Sequence, residues 1–167
     1  MMFFHQIQAS KGWLNTKLLR IVSGFVLALL FIPFSGMSYS LPFHDNFDST
    51  GIWTVQHSGG SSWEQGVPNY GSTSSAHSPS NCWDIELNAP YRDSSLTYLV
   101  SPSITFNGEY NALLSFWQNF NTEDYFDGSR LEYSINGGSW ATLGLSGDPD
   151  GHNWYTRNNI EASNKPA

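Results

Sequence analysis

Four acidic residues lie close together near the middle of the chain, in and beside the stretch DGSRLEYSINGGSW at residues 127–140. They are Glu123, Asp124, Asp127 and Glu132. A β-sandwich glycosidase needs two carboxylates on one strand face, about 5 Å apart for retention or about 6.5 to 9.5 Å apart for inversion. Side chains on one face recur at every second residue, whereas Asp127 and Glu132 differ by five positions. The spacing argues against a catalytic pair and predicts Glu132 as a solvent-facing or edge residue.

Other catalytic signatures are missing from the sequence. There is no His-Glu-x-x-His zinc motif and no Gly-x-Ser-x-Gly elbow. Cys82 is the single cysteine, so an internal disulfide is impossible, and its apolar surroundings predict a buried, inert thiol. We therefore expect a protein that is not an enzyme on its own.

The stretch DPDGHNWY, at residues 148–155, has acidic residues that could form a calcium loop. An EF-hand loop has glycine at its sixth position and glutamate at its twelfth, but counted from Asp148 these positions do not match. We predict a turn in which Asp148 and Asp150 accept local backbone hydrogen bonds.

Short aromatic and β-branched segments alternate with turn residues about every ten positions, which predicts an all-β fold, a sandwich or barrel. The predicted strands cover residues 43–47, 51–57, 82–87, 96–100, 112–120, 130–135 and 139–145. Strand 112–120 carries large apolar groups on both faces, which is typical of a central strand.

The alternation of residues 130–135, followed by Asn136, Gly137 and Gly138, predicts a β-hairpin. A three-residue loop places Tyr133 opposite Ala141, so that apolar residues of one strand pair with apolar residues of the other. A two-residue turn would instead pair Tyr133 with Trp140, so the longer loop is favoured.

Residues 59–81 are rich in turn formers and predict a long surface loop, which is usually functional or mobile. Trp63 and Tyr70 are its aromatic residues. They could stack on sugar rings, as could Trp154, or they could anchor the loop to the core. Both interpretations stay open from the sequence.

The first forty residues have the order of a secretory signal. Lys11, Lys17 and Arg20 precede the apolar run at residues 21–34, which is shorter than the roughly 20 residues of a membrane span. Ser38 and Ser40 suit cleavage, so we predict a helical signal peptide at residues 1–40 and a module at residues 41–167. A retained anchor is the alternative.

Removal of that segment would leave 14 acidic residues against four strong bases, a net charge of −10. Such a surface repels phosphate backbones and argues against nucleic acid as a partner. Contact with a membrane is expected only through the signal segment before cleavage. The acidic surplus is compatible with calcium.

Several motifs in order, SPSI, LLSFW, DGSRLEYSINGGSWATLG and GDPDGHNWY, resemble the MAM-like or adhesin-type concanavalin-like jelly-roll modules of secreted, multidomain Bacteroidota-type proteins. The resemblance covers about residues 43–155. It implies an antiparallel jelly-roll β-sandwich, generally without catalysis, often with structural calcium. Asp48 in FDSTGIW is the first candidate ligand, and Asp127 the second.

Modules of this family usually continue with a Gly-Trp-rich segment and further strands, which do not follow residue 155. We therefore expect a C-terminally truncated module, or missing strands supplied from elsewhere, because an incomplete sandwich would expose a sheet edge and an apolar face. The expected function is attachment to an extracellular protein or glycan as an accessory of a larger protein. The alternative is a carbohydrate-binding module or part of a secreted glycoside hydrolase or peptidase.

Overall fold

The structure is a computed structural model that describes residues 2–11, 17–23, 38–78, 80–106, 109–123, 125–153 and 155–157. For residues 2–11, 17–23 and 109–110 the backbone alone is described. Every regular element in these ranges is a β-strand, so the all-β prediction is confirmed. None of the described residues belongs to a helix long and apolar enough to cross a membrane.

The eleven strands run in chain order as follows: β1 Met2–Lys11, β2 Lys17–Ser23, β3 Ser38–Ser40, β4 Thr54–Ser58, β5 Trp63–Gly66, β6 Cys82–Ile85, β7 Leu96–Val100, β8 Ser103–Thr105, β9 Glu109–Gln118, β10 Ser129–Ile135 and β11 Ala141–Thr142. Sheet A has the order β5-β6-β1-β9, and sheet B has the order β11-β10-β2-β7-β4, with β8 beside β2 and β3. All pairings are antiparallel except β3 with β8.

The N-terminal segment contributes one interior strand to each sheet. Strand β1 lies between β6 and β9, and β2 lies between β7 and β10. The sequence predicted a helical signal peptide over residues 1–40, and the structure has strands in the three described parts of this segment, residues 2–11, 17–23 and 38–40. Most of the apolar run, residues 24–34, lies outside the described residues. Removing residues 1–40 would take an interior strand from both sheets.

The apolar core fills the space between the sheets, and strands described with their side chains contribute residues to it from both sheets. Sheet A supplies Trp63 and Trp83, and sheet B supplies Leu99 and Leu131. Loop residues Phe43, Phe47, Trp53 and Phe106 complete this cluster, together with Ile104 of β8. A small second cluster of Cys82 and Leu87, with Ala76 against it, lies on the other side of β6.

The hairpin of β10 and β11 has the predicted register. Tyr133 lies opposite Ala141, and Gly138 donates its N–H to the carbonyl oxygen of Ile135 at 2.9 Å. Asn136 and Gly137 have φ of 52° and 71°. The three-residue loop is therefore confirmed, since these two residue types tolerate the left-handed region.

Three expectations about the elements need correction. The stretch 43–47 is a loop rather than a strand, because Phe47 has a left-handed φ of 64° that breaks an extended run. The predicted loop 59–81 contains β5, which pairs with β6 along its length. The predicted central strand is β9, which lies at the edge of sheet A.

Candidate functional site

A large concave surface follows β9 and is bounded on its other side by Leu143, Gly144, Asp148 and residues 150–153 and 155–156. We call it the β9 groove; its volume is about 1060 Å³, and it is lined by Leu113, Trp117, Phe120, Leu143, His152 and Tyr155, among others. Leu113, Trp117 and Phe120 are each at least 50% exposed. Exposed apolar side chains that adjoin along a groove are typical of binding surfaces.

Most of β9 lacks the charged residues and prolines by which edge strands usually avoid pairing, although the strand begins at Glu109 and its pairing with β1 shifts register there. Residues 111–118 contain no charged residue and no proline. Natural edges are commonly protected by lysine, proline or bulges. The outer edge of β9 is therefore chemically open to a polar or a strand-like ligand within the described part of the chain.

Trp117 is held in place by the long loop that follows β5. The His77 ring stacks on the Trp117 ring with centroids 3.9 Å apart and an interplanar angle of 20°. Nearby, the Asn119 side-chain amide donates to Thr73 Oγ1 at 2.6 Å. The loop thereby fixes the orientation of an aromatic ring that also lines the β9 groove, which lowers the entropic cost of using it for binding.

The far wall of the groove is anchored by Tyr155. Its hydroxyl accepts the N–H of Leu131 at 2.7 Å and donates to the carbonyl oxygen of Leu143 at 3.0 Å. Burial raises the pKa of Tyr155, so the hydroxyl stays protonated and able to donate at neutral pH.

Asp148 and Asp150 also line this wall, and no lysine or arginine is found among the described lining residues. As predicted, Asp148 accepts a local bond, from the Asp150 N–H at 3.1 Å.

Asp48, the first predicted metal ligand, ties two loops together. One carboxylate oxygen accepts the N–H groups of Ser80 and Asn81 at 2.9 and 3.4 Å, and the other accepts the Asn46 side-chain amide at 2.7 Å. Hydrogen-bond donors therefore surround this carboxylate. The arrangement stabilises its negative charge without a cation.

Asp127, the second predicted metal ligand, belongs to a separate cluster. Its Oδ2 accepts the Tyr91 hydroxyl at 2.8 Å, and that hydroxyl in turn accepts the Glu123 N–H at 3.2 Å. Burial, together with the bond to Asp127, raises the pKa of Tyr91. Asp48 and Asp127 thus have different partners. Within the described ranges, no three His, Cys, Asp or Glu side chains come together as a metal site.

The three predicted aromatic platforms have different outcomes. Trp63 is 5% exposed and belongs to the core, so it offers no ring face to a sugar, which corrects the prediction for this residue. Its burial follows from its position in β5, where its side chain faces the space between the sheets. Tyr70 is exposed beside a bridge to Thr73, as a platform requires. Trp154 lies outside the described residues.

Glu132 was predicted to face solvent or an edge, and the structure corrects this. It is 4% exposed, and its Oε1 accepts Arg130 Nε and Nη2 at 2.9 and 2.7 Å. A buried carboxylate needs such a partner to offset the loss of hydration. This ion pair lies on β10, within sheet B, and has a structural role there.

Cys82 is fully buried, as the sequence predicted. Its thiol donates to the Gly66 carbonyl oxygen at a sulfur–oxygen distance of 3.6 Å. Burial, assisted by the charge of Asp84, raises the pKa of Cys82 to about 12. Since the thiolate is the reactive form, this thiol is inert at neutral pH.

The sequence prediction missed the residues that form the groove, namely Leu113, Trp117 and Phe120. The alternation of apolar residues on β9 was visible, but it was assigned to a strand covered on both faces. The absence of charged residues along residues 111–118 is a signal that could have found them. Comparisons of the chain with protein-family models, curated proteins and solved structures found no match.

Proposed function

We propose that the protein is a secreted, non-catalytic β-sandwich module that attaches to an extracellular protein or glycan, as an accessory of a larger protein. The observation that supports this function best is the β9 groove, in which Trp117 and Phe120 are exposed beside an uncharged strand edge. Aromatic side chains in a concave surface are the residues that most often dominate binding energy. Export through the segment 1–40 is part of the same proposal.

The jelly-roll arrangement and the relation to MAM-like or concanavalin-like modules belong to this proposal too. The motif series in the sequence and the two antiparallel sheets support them. A carbohydrate-binding module is the second candidate. The specific observation in its favour is the Trp117 ring, which His77 orients by stacking.

Attachment is tested by comparing Trp117→Ala with Tyr125→Ala on a glycan array and on immobilised gelatin and casein. Tyr125 is also an exposed aromatic residue, but it contacts Arg157 at 3.9 Å and does not line the groove. Loss of a central aromatic contact costs about 2 kcal/mol or more, so we expect binding by Trp117→Ala to weaken by about 30-fold.

Glycan binding that Trp117→Ala loses and Tyr125→Ala keeps would support the carbohydrate candidate. The same pattern on gelatin or casein would support attachment to protein. Absence of binding by the unchanged protein on every surface, or equal losses in both variants, would contradict the proposed use of the groove.

The family resemblance also implies calcium at Asp48, whereas the three N–H groups that this carboxylate already accepts argue against it, and its test is separate. Because Asp48 already accepts three N–H groups, we expect Asp48→Asn to lower the melting temperature equally in millimolar calcium chloride and in EDTA. A loss of about 1 kcal/mol corresponds to about 2 to 4 °C. Calcium that raises the Tm of the unchanged protein but not of Asp48→Asn would instead support a metal site.

A further inference from the structure

The interior position of β1 and β2 divides the rest of the module into separate strand groups. Without residues 2–23, slot A opens between β6 and β9, and slot B opens between β7 and β10. We propose that these slots are binding sites for strands of a partner polypeptide, and that residues 2–23 are donor strands that occupy them until they are displaced. This inference rests on the export part of the proposed function, because cleavage after residue 40 would empty both slots.

Slot B has a strand on each side, β10 along its whole length and β7 along residues 20–23. Residues 20–23 of β2 pair with β10 on one side and with β7 on the other, for example Ile21 with both Leu131 and Leu99. Leu131 and Leu99 are buried core residues. An empty slot would therefore expose backbone hydrogen-bonding groups on two strands and an apolar strip of the core, all of which favour the entry of a new strand.

Strand β1 pairs less regularly with the walls of slot A than β2 pairs with the walls of slot B. Strand β1 pairs with β9 at nine positions, but with register shifts between Phe4 and Gln6 and between Ser10 and Lys11. Its pairing with β6 is limited to Met2 opposite Trp83. Since ladder pairing and side-chain registry stabilise a strand within a sheet, β1 is the less firmly held of the two donors.

The walls of slot B define the chemistry of the partner. The occupant is an extended strand of about seven residues whose apolar side chains alternate, because the register position of Ile21 lies between two core leucines. The adjacent position, filled by Arg20, lies opposite Glu132, a buried acid that already pairs with Arg130 on its own strand. A basic residue there is complementary in charge. The fit is that of an apolar–basic–apolar strand, as in Leu19-Arg20-Ile21.

A second copy of the cleaved chain is a poorer occupant. It would have lost the strands that match the slots, and its net charge of −10 would repel an identical copy. A glycan cannot form the backbone ladder on both sides. The partner is therefore a strand-forming polypeptide segment with a basic residue.

The test uses the full chain with a protease recognition sequence inserted between residues 30 and 31. This position lies between β2 and β3 in the sequence, so cutting there separates the donor strands from the rest of the chain. A fluorescein-labelled peptide of residues 16–24 is added before and after cutting, and its incorporation is followed by anisotropy. We expect at least tenfold greater incorporation into the cut protein, because only the cut donor can leave. The same peptide carrying Ile21→Pro is the control and should not be incorporated, since proline lacks the N–H that pairs in the ladder.

Failure of the cut protein to take up the peptide would overturn the proposal, whether or not the protein stays folded. Equal uptake by uncut protein, or uptake of the proline peptide, would also overturn it, because the peptide would then bind outside slot B. So would formation of a dimer by the cut protein, seen by size-exclusion chromatography with light scattering. None of these results involves secretion or the β9 groove, so they leave the proposed attachment function to its own experiment.

Discussion

Replacing Ile21 with proline is expected to lower the free energy of unfolding of the full-length protein by about 2 to 4 kcal/mol, because a ladder hydrogen bond is lost and its acceptor is left unsatisfied. Ile21 lies in the part of β2 that pairs with strands on both sides. Proline has no N–H to donate to a ladder, and it is found in sheets almost only at edges or bulges. The change therefore tests directly whether β2 is an interior strand.

Urea unfolding followed by tryptophan fluorescence measures this effect. Ile21→Val is the matched control, because it keeps the backbone N–H and a β-branched side chain and should cost no more than about 1.5 kcal/mol. A midpoint for Ile21→Pro that equals the midpoint of Ile21→Val would contradict the position of β2 in sheet B. A melt that is no longer cooperative would agree with it, because two walls of the sheet would then separate.

The hairpin of β10 and β11 shows what local sequence can determine. Alternation of period two assigns the faces of residues 130–135, and Asn136 with Gly137 accepts the left-handed backbone that the loop requires. Once these are known, the pairing of Tyr133 with Ala141 follows from matching apolar residues. Each of these signals acts within about ten residues, so no tertiary information is needed.

The roles of β1, β2 and β9 depend on contacts distant in sequence. A basic and apolar N-terminal segment has the same pattern whether it is an export signal or strands within a sheet. Likewise, apolar residues on both faces of β9 are compatible with a central strand or with an exposed edge that binds a ligand. The strand order places β1 and β2 inside the sheets and β9 at an edge, and periodicity carries no information on strand order.

Burial of single side chains was also beyond local reasoning. Trp63 lies in a stretch rich in glycine and serine. It is nevertheless buried in the core, because the four residues of β5 pair with β6. Glu132 alternates with apolar residues as a surface residue does, but Arg130 two positions away forms an ion pair that makes its burial tolerable. For the candidate site, the sequence identified Asp48 and Asp127, which form structural hydrogen bonds. Trp117 was identified only from its solvent exposure in the structure.

Asp45 provides the second large effect that we expect, and it concerns the loop that closes one end of the core. The side chain is 8% exposed, and its Oδ1 accepts the Phe47 N–H at 2.8 Å while Oδ2 accepts Trp53 Nε1 at 2.7 Å. Phe47 and Trp53 are buried and meet edge to face at 5.5 Å between ring centroids. One carboxylate therefore satisfies two buried donors and holds the left-handed Phe47 in position.

Asp45→Ala removes the carboxylate oxygens that accept the buried Phe47 N–H and Trp53 Nε1–H. Hydrogen bonds to a charged group contribute about 1.5 to 3 kcal/mol each, so we expect a loss of about 3 kcal/mol or more, seen as a Tm about 6 to 12 °C lower. Asp45→Asn keeps the shape and one acceptor oxygen. Its Tm should therefore lie between those of the unchanged protein and Asp45→Ala. Asp93→Ala, at an exposed position, is the control and should change stability by less than about 0.5 kcal/mol. If Asp45→Ala unfolds at the same urea concentration as Asp93→Ala, the bridge from Asp45 to Phe47 and Trp53 does not support the core.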